Sequence, residues 1–389
     1  MITIKRPAFR SIFLLLIFAG LFLTACGSRV ASTNWPGLST DGQNLYLANG
    51  LSVTSYDAAT QEVLWTFPGS NEGINRQVQF YSAPSVQEDR VIFGDYGAPG
   101  GMLNPKVTVT VYAVENSGPT APIDWTASEV AFDKIVAPPL QVGDVVYVGT
   151  ADNYMLALDA TSGDPVWPQP FETGHSIWGQ AAYSNGTLYV TSLDRSLHAL
   201  DAETGIELWQ TQFDGAIASQ PVLNEDLVYV AEFGSQVHAI DKTNGNIVWS
   251  APAQNWVWGA PAYADGVVYY ADIDGNVFAV DARTGASRWQ AQAPGAVQTT
   301  PLVIDGIVYV ASEGEATTED VAAGALTAFN TANGEQLWRQ ITPAPLFTPP
   351  VAVDNAVVVA MTSESAILSA YDLQSGAPLW TIAPPQQEG

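Results

Sequence analysis

"ALDAETGIELW", residues 199–209, decides the fold. Close copies stand at 157–167 (ALDATSGDPVW), 239–249 (AIDKTNGNIVW) and 279–289 (AVDARTGASRW). Each leaves an apolar run through Asp, turns at Gly and closes on Trp. The Asp (Asp159, Asp201, Asp241, Asp281) can accept hydrogen bonds from backbone N–H groups two or three residues on, as an Asx turn does. The Gly (Gly163, Gly205, Gly245, Gly285) supplies the positive φ of a hairpin turn. The Trp then falls on the strand after the turn. Its broad face can cover a neighbouring sheet while its N–H finds a backbone carbonyl. The phrase therefore reads as a hairpin ending in a docking residue.

The same Trp recurs as Trp65, Trp125, Trp167, Trp209, Trp249, Trp289, Trp338 and Trp380, mostly 40 to 42 residues apart. The longer gaps hold insertions, "GDYGAPGGMLNPKV" before Trp125 and "EGEATTEDVAAG" before Trp338. A fixed period of this size marks a repeat architecture. Each unit opens on an Ala-Pro-like start ("SAPSV", "GAPAY", "TTPLV"), turns, and runs through an apolar strand such as "VVYVG", "LVYVA" or "IVYVA". Such strands are apolar at nearly every position, so both faces are buried. Four strands fill a unit and leave no room for a helix. Sheets stacked face to face in a line leave two open ends, and a ring leaves none. The sequence predicts an all-β fold over residues 34–389, an eight-bladed β-propeller of four-stranded antiparallel blades. Either "LWTIAPP" completes the last blade, or residues near Asn34 zip onto it.

Residues 1–25 stand apart. Lys5, Arg6 and Arg10 precede an apolar run, Ile12 to Leu23, that is short for a membrane span. The pattern is that of a secretion signal peptide. It ends in "LTAC", which resembles a bacterial lipobox and implies cleavage before Cys26 and lipid attachment to its sulfur. Cys26 is the only cysteine in the chain. Residues 26–33 would then be a lipidated tether, with the membrane contacted through the anchor alone. No Asp follows Cys26, so the expected place is an outer membrane, facing the periplasm, or else the outer face of the cell membrane. Thirteen basic residues against 39 acidic ones give a net charge of −26, which argues against a nucleic-acid partner.

The motif "A-x-D-x-x-T-G-x-x-x-W", as in "ALDAETGIELW" and "AVDARTGASRW", resembles the quinoprotein-type (PQQ-like) propeller repeat, over essentially the whole chain after Cys26. The first unit departs from it with Gln61 in the Gly position. With the lipobox and eight units, the chain resembles the BamB family of outer-membrane assembly lipoproteins. That resemblance implies a monomeric, non-catalytic scaffold that holds another envelope protein through loops on one face. The Leu-x-Leu-Arg-type loop that this family uses to grip its partner has no counterpart. "TSLDRSLHAL" at 191–200 offers Leu193 and Arg195 in a different part of the blade. The other activity within reach is a PQQ-dependent dehydrogenase, whose quinone would lie on the axis between a Trp and a disulfide of adjacent cysteines. A single cysteine rules out that disulfide. A third reading is a glycan- or ligand-binding surface protein.

Some aromatics lie outside the docking series. Trp178, Trp256 and Trp258 come just before the first strand of their units, near the expected channel mouth. Phe233, beside Glu232, and Arg195 occupy matching loops and can share that rim. Aromatics of this kind anchor partners, or else they plug the channel. No catalytic, cofactor or metal residues are assigned. "ADIDGN" at 271–276 resembles part of a calcium loop but lacks its later ligands. Glu313, Glu315, Glu319 and Asp320 read as an acidic insertion. His175 stands apart. His198 and His238 share a slot in adjacent units, with Leu156 expected in another register.

Overall fold

In a computed structural model, residues 35–69, 74, 78–87, 89–97, 107–128, 130–314 and 323–385 are described. The signal peptide, Cys26, the tether, residues 98–106 of the first insertion, and Glu315, Glu319 and Asp320 lie outside the described residues. Every regular element among the described residues is a strand, thirty-two in all. They form eight four-stranded antiparallel sheets, each from consecutive strands paired in chain order. The blades span 37–67, 85–128, 140–172, 182–212, 222–252, 262–292, 302–342 and 351–382. The fold is an eight-bladed β-propeller.

The core is eight clusters, one for each seam between blades. Along Val145–Gly149, Val146 and Val148 pack with blade two, while Tyr147 packs with blade four. Alternate side chains of a strand point to opposite faces, which is why these runs are apolar throughout. The last cluster joins Leu38, Leu45 and Ala58 of blade one to Val358, Leu368 and Ala370 of blade eight. Blade eight is built from its own repeat, and the ring shuts by packing together with a buried hydrogen bond from the Thr348 hydroxyl to the Pro36 carbonyl.

The repeated phrase makes six of the eight seams. Trp125, Trp167, Trp209, Trp249, Trp289 and Trp338 donate their indole N–H to one carbonyl in the next blade, on Ala160, Ala202, Lys242, Ala282, Thr331 and Leu373, at 2.8–3.2 Å. That carbonyl belongs to the residue after the turn's Asp or Asn. At three seams a buried Tyr hydroxyl shares it: Tyr147 on Ala202, Tyr229 on Ala282 and Tyr309 on Leu373. Both lone pairs of the oxygen are then used. Gly205 has φ +73, and a Cβ there would lie 2.7 Å from the Trp167 ring. The glycine thus makes the turn and also gives the preceding blade's indole a flat seat.

The closing seam departs from this pattern. Gln61 stands in the glycine position at φ 63. Its amide donates to the carbonyls of Ala58 (2.8 Å) and Ala59 (2.9 Å), and Ala58 is the equivalent of Ala202. Among the described residues the half-buried Trp380 indole donates to no partner. Gln61→Gly relieves a left-handed Gln and frees the Ala58 carbonyl for Trp380. The expected gain is about 1 kcal/mol, read as a higher urea midpoint. An unchanged or lower midpoint would show that the glutamine is the better seal.

The turn carboxylates behave as the Asx geometry requires. Asp201 accepts from the Thr204 hydroxyl (2.7 Å) and backbone N–H (2.9 Å), and Asp159 from the N–H groups of Thr161 and Ser162. These bonds hold Asp57, Asp159, Asp201, Asp241 and Asp372 below the ordinary value of 3.8. Asp281, bonded first by Arg288, falls to about 2. Folded values below unfolded ones mean stability that is present above pH 3.8 and lost as pH falls toward 2. Each carboxylate is exposed and screened, but all six act in one direction. The thermal midpoint is expected to hold down to pH 3.8 and to drop below it. A flat acid profile would contradict this.

Candidate partner-binding face

Within a blade the strands alternate in direction. The first-strand starts and the second-to-third-strand turns therefore share one face, and the Asp-Gly turns lie on the other. Trp178, Trp256, Trp258, Phe233 and Arg195 all fall on the first face. Phe233 stacks on Trp256 (22°, 5.7 Å) and packs on Trp258 at 4.9 Å. Trp258 meets Trp178 at 6.5 Å and Trp35 at 5.9 Å. Trp35 in turn meets Phe347 at 6.0 Å. Trp35 opens blade one and Trp258 opens blade six. Those blades are not neighbours, so their contact crosses the axis, and the aromatics fill the channel mouth.

Beneath them, a small residue stands at the entry to the first strand of every blade. Gly37, Ser82, Ala137, Gly179, Ser219, Gly259, Thr299 and Thr348 form a tight neck. A Cβ at Gly259 would lie 2.3 Å from the Thr299 carbonyl oxygen. Inner strands approach this closely only without side chains between them, so the indoles sit above the neck. Trp178 and Trp258 are half-buried, whereas Trp256 is 50% exposed and stands outermost. Arg195 is exposed at φ 75 in its turn, and among the described residues no ring contact brings it into the aromatic group.

A second set of residues, absent from the sequence reading as a set, fixes this face. Carboxylates at the end of the second strand accept N–H groups from the connection entering the same blade. Asp152 bonds Phe132 N (2.8 Å), Asp194 bonds Gly174 N (2.8 Å) and Glu232 bonds Gly215 N (2.6 Å). The fully buried Asp272 takes Gln254 N and Asn255 N, and so holds the loop that carries Trp256. Its other bonds come from Asp274 N, Asn276 N and the Asn276 amide. "ADIDGN" is thus a carboxylate stitch around a turn at Gly275 (φ 84). Glu232 is only 1% exposed and lies under the rim. The recurring signal was the acid after each apolar run, in "TAD", "SLD", "AE" and "AD".

His198 and His238 are clamps within blades, whereas His175 lies in the connection between blades three and four. His198, His238 and Leu156 share one register, opposite Val190, Val230 and Val148, so Leu156 occupies the same slot and is not shifted. His238 Nδ1 meets Ser250 Oγ at 2.8 Å, and His175 Nδ1 accepts from Ser176 N. The buried His198 lies between Glu207 (2.7 Å) and Asp194 (3.3 Å). Burial opposes its charged form, but the two carboxylates outweigh burial and hold the imidazole above its ordinary 6.5. A raised folded value means stability that is present below pH 6.5 and lost as pH rises through the folded value. The denaturation midpoint is expected to fall on this alkaline side and to become flatter in His198→Gln. An identical slope in the variant would assign the effect elsewhere. Among the described residues no three His, Cys, Asp or Glu side chains converge to hold a metal ion. An axial quinone does not fit these residues either, because indoles fill the mouth and the chain has a single cysteine.

Eight blades, six of them locked to the next by an indole on a turn carbonyl, define a PQQ-like β-propeller. Residues 157–256 and 234–389 match the family model described as outer membrane protein assembly factor BamB, and the chain belongs to that family. Among solved structures it is similar to BamB from Moraxella catarrhalis. That match has 18% identity and a TM-score of 0.66, and covers 89% of this chain and 96% of the other. It is also similar to the computationally designed Ika8 protein, at 16% identity and TM-score 0.67, covering 90% and 96%. At such identities these two likenesses show the fold alone. No curated protein matches the chain.

Proposed function

We propose that the protein is an exported, lipid-anchored, non-catalytic scaffold. It would hold another envelope protein, in outer-membrane protein assembly, against the aromatic mouth of the propeller. The observation that carries this reading is the exposed Trp256 stacked on Phe233, above a closely packed neck. Family membership supports the assembly role. A rigid surface loses little freedom on binding, and aromatic anchors of this kind dominate interface energies. Cys26 would tie the scaffold to the membrane, and two or more acyl chains make such a tie stable.

The test uses the full lipidated chain, captured from detergent-solubilised membranes. Wild type is expected to bring down a subunit of the assembly machinery. Trp256→Ala with Phe233→Ala should reduce recovery about tenfold at unchanged thermal midpoint. Cys26→Ser should move the protein to the soluble fraction, while high salt leaves the wild type on the membrane. Recovery of no assembly subunit, or equal recovery by both chains, would overturn the reading.

A further inference from the structure

The seam between blades five and six, on the face of the Asp-Gly turns, is built unlike its neighbour. At the seam before it, Lys242 crosses over. Its Nζ donates to Ser184 Oγ (2.9 Å) and to the carbonyls of Asn224 (3.0 Å) and Glu225 (3.1 Å). One blade on, the equivalent position is Ala282, and a cleft of about 620 Å³ stands there. Tyr263 lines it, 38% exposed and held parallel to Tyr229 (16°, 5.7 Å). The exposed Val248 lies in the same lining. Arg288 is bonded to Asp281 at 2.8 Å. Among the described residues, nothing bonds the guanidinium of Arg283 or the carboxylate of Asp226.

The cleft thus offers a flat apolar surface, free donors and free acceptors together. An anion placed there meets Asp226, Asp241 and Asp281, and a cation meets Arg283 and Arg288. A neutral ring with adjacent hydroxyls satisfies both sets, since each hydroxyl donates to a carboxylate or accepts from a guanidinium. Its C–H face covers the tyrosine. We propose that this cleft binds a neutral sugar ring. The seam between blades three and four carries the same tyrosine pair, Tyr147 and Tyr183, and the same small residue, Ala202. It has Glu203 and Leu208 where Arg283 and Arg288 stand, so it lacks the donors.

Saturation-transfer NMR on the full chain tests this, with chitobiose, maltose and cellobiose as probes. Ring C–H protons of at least one disaccharide are expected to receive signal. Tyr263→Ala and Arg283→Gln should each weaken that binding about tenfold, Tyr263→Phe should keep it, and Trp256→Ala should leave it unchanged. No transfer to any of the three probes, transfer that survives both weakening variants, or displacement by inorganic phosphate or free lysine would overturn the proposal. The assembly subunit's recovery plays no part in this readout, so the two readings stand or fall separately.

Discussion

Trp167→Ala is expected to lower the unfolding free energy by about 3–5 kcal/mol, the cost of emptying a fully packed indole site. Trp167 is 3% exposed, lies over Gly205 and donates to Ala202 O at 3.0 Å. Tyr147 still bonds that carbonyl after the truncation, so the loss comes mainly from the cavity and the removed apolar contact. Trp167→Phe refills part of the volume and should recover roughly half of the loss. The internal comparison is Trp380→Ala at the closing seam, where the ring is only half-buried and, among the described residues, has no indole acceptor. Its cost should be well under half that of Trp167→Ala. Denaturant unfolding of the three variants decides the matter. Equal losses at 167 and 380 would mean that the indoles do not grade the seams.

Gly259→Ala should cost about 1–3 kcal/mol by crowding alone. The added methyl would sit 2.3 Å from Thr299 O and 2.4 Å from its carbonyl carbon. Backbone cannot swing aside as a side chain can, so the inner strands of blades six and seven must part. Gly266→Ala is the control. It carries φ +76 but has nothing within 4 Å of the new atom, so it reports backbone strain without crowding. A left-handed alanine costs about 1 kcal/mol. A loss at 259 no larger than that at 266 would show that the neck yields. Trp256 fluorescence should also shift in Gly259→Ala, because the aromatic mouth rests on the neck.

The blade count, the strand grammar and the Asp and Gly of each turn were legible because they are local and periodic. An Asx turn needs only its own four residues, and a strand buried on both faces declares itself by composition. The indole's acceptor was legible only as a class, a backbone carbonyl. Which carbonyl depends on the twist between blades, as does the seat that Gly205 gives to Trp167. The channel plug was divided. Trp178, Trp256 and Trp258 share a visible slot, whereas Trp35 and Phe347 join them from the two ends of the ring across the axis. No periodicity links residues so far apart. The acid stitches did repeat, but Glu replaces Asp once and each acid sits beside a turn, where carboxylates are commonplace. Leu156 shares the register of His198 and His238 because the slot asks only for a side chain that fits, which residue type alone does not reveal.

A circle whose members are each folded from their own stretch of chain, and whose first and last members touch without exchanging a strand, has no preferred beginning. Blades one and eight share an apolar cluster that includes both Leu38 and Ile382. Joining the ends of the ring with a short linker and opening any other inter-blade connection would yield a circular permutant with the same eight seams. The order in which the blades are synthesised is therefore free to differ from the order in which they are needed, and new termini could be moved to whichever sector a tether or fusion partner requires.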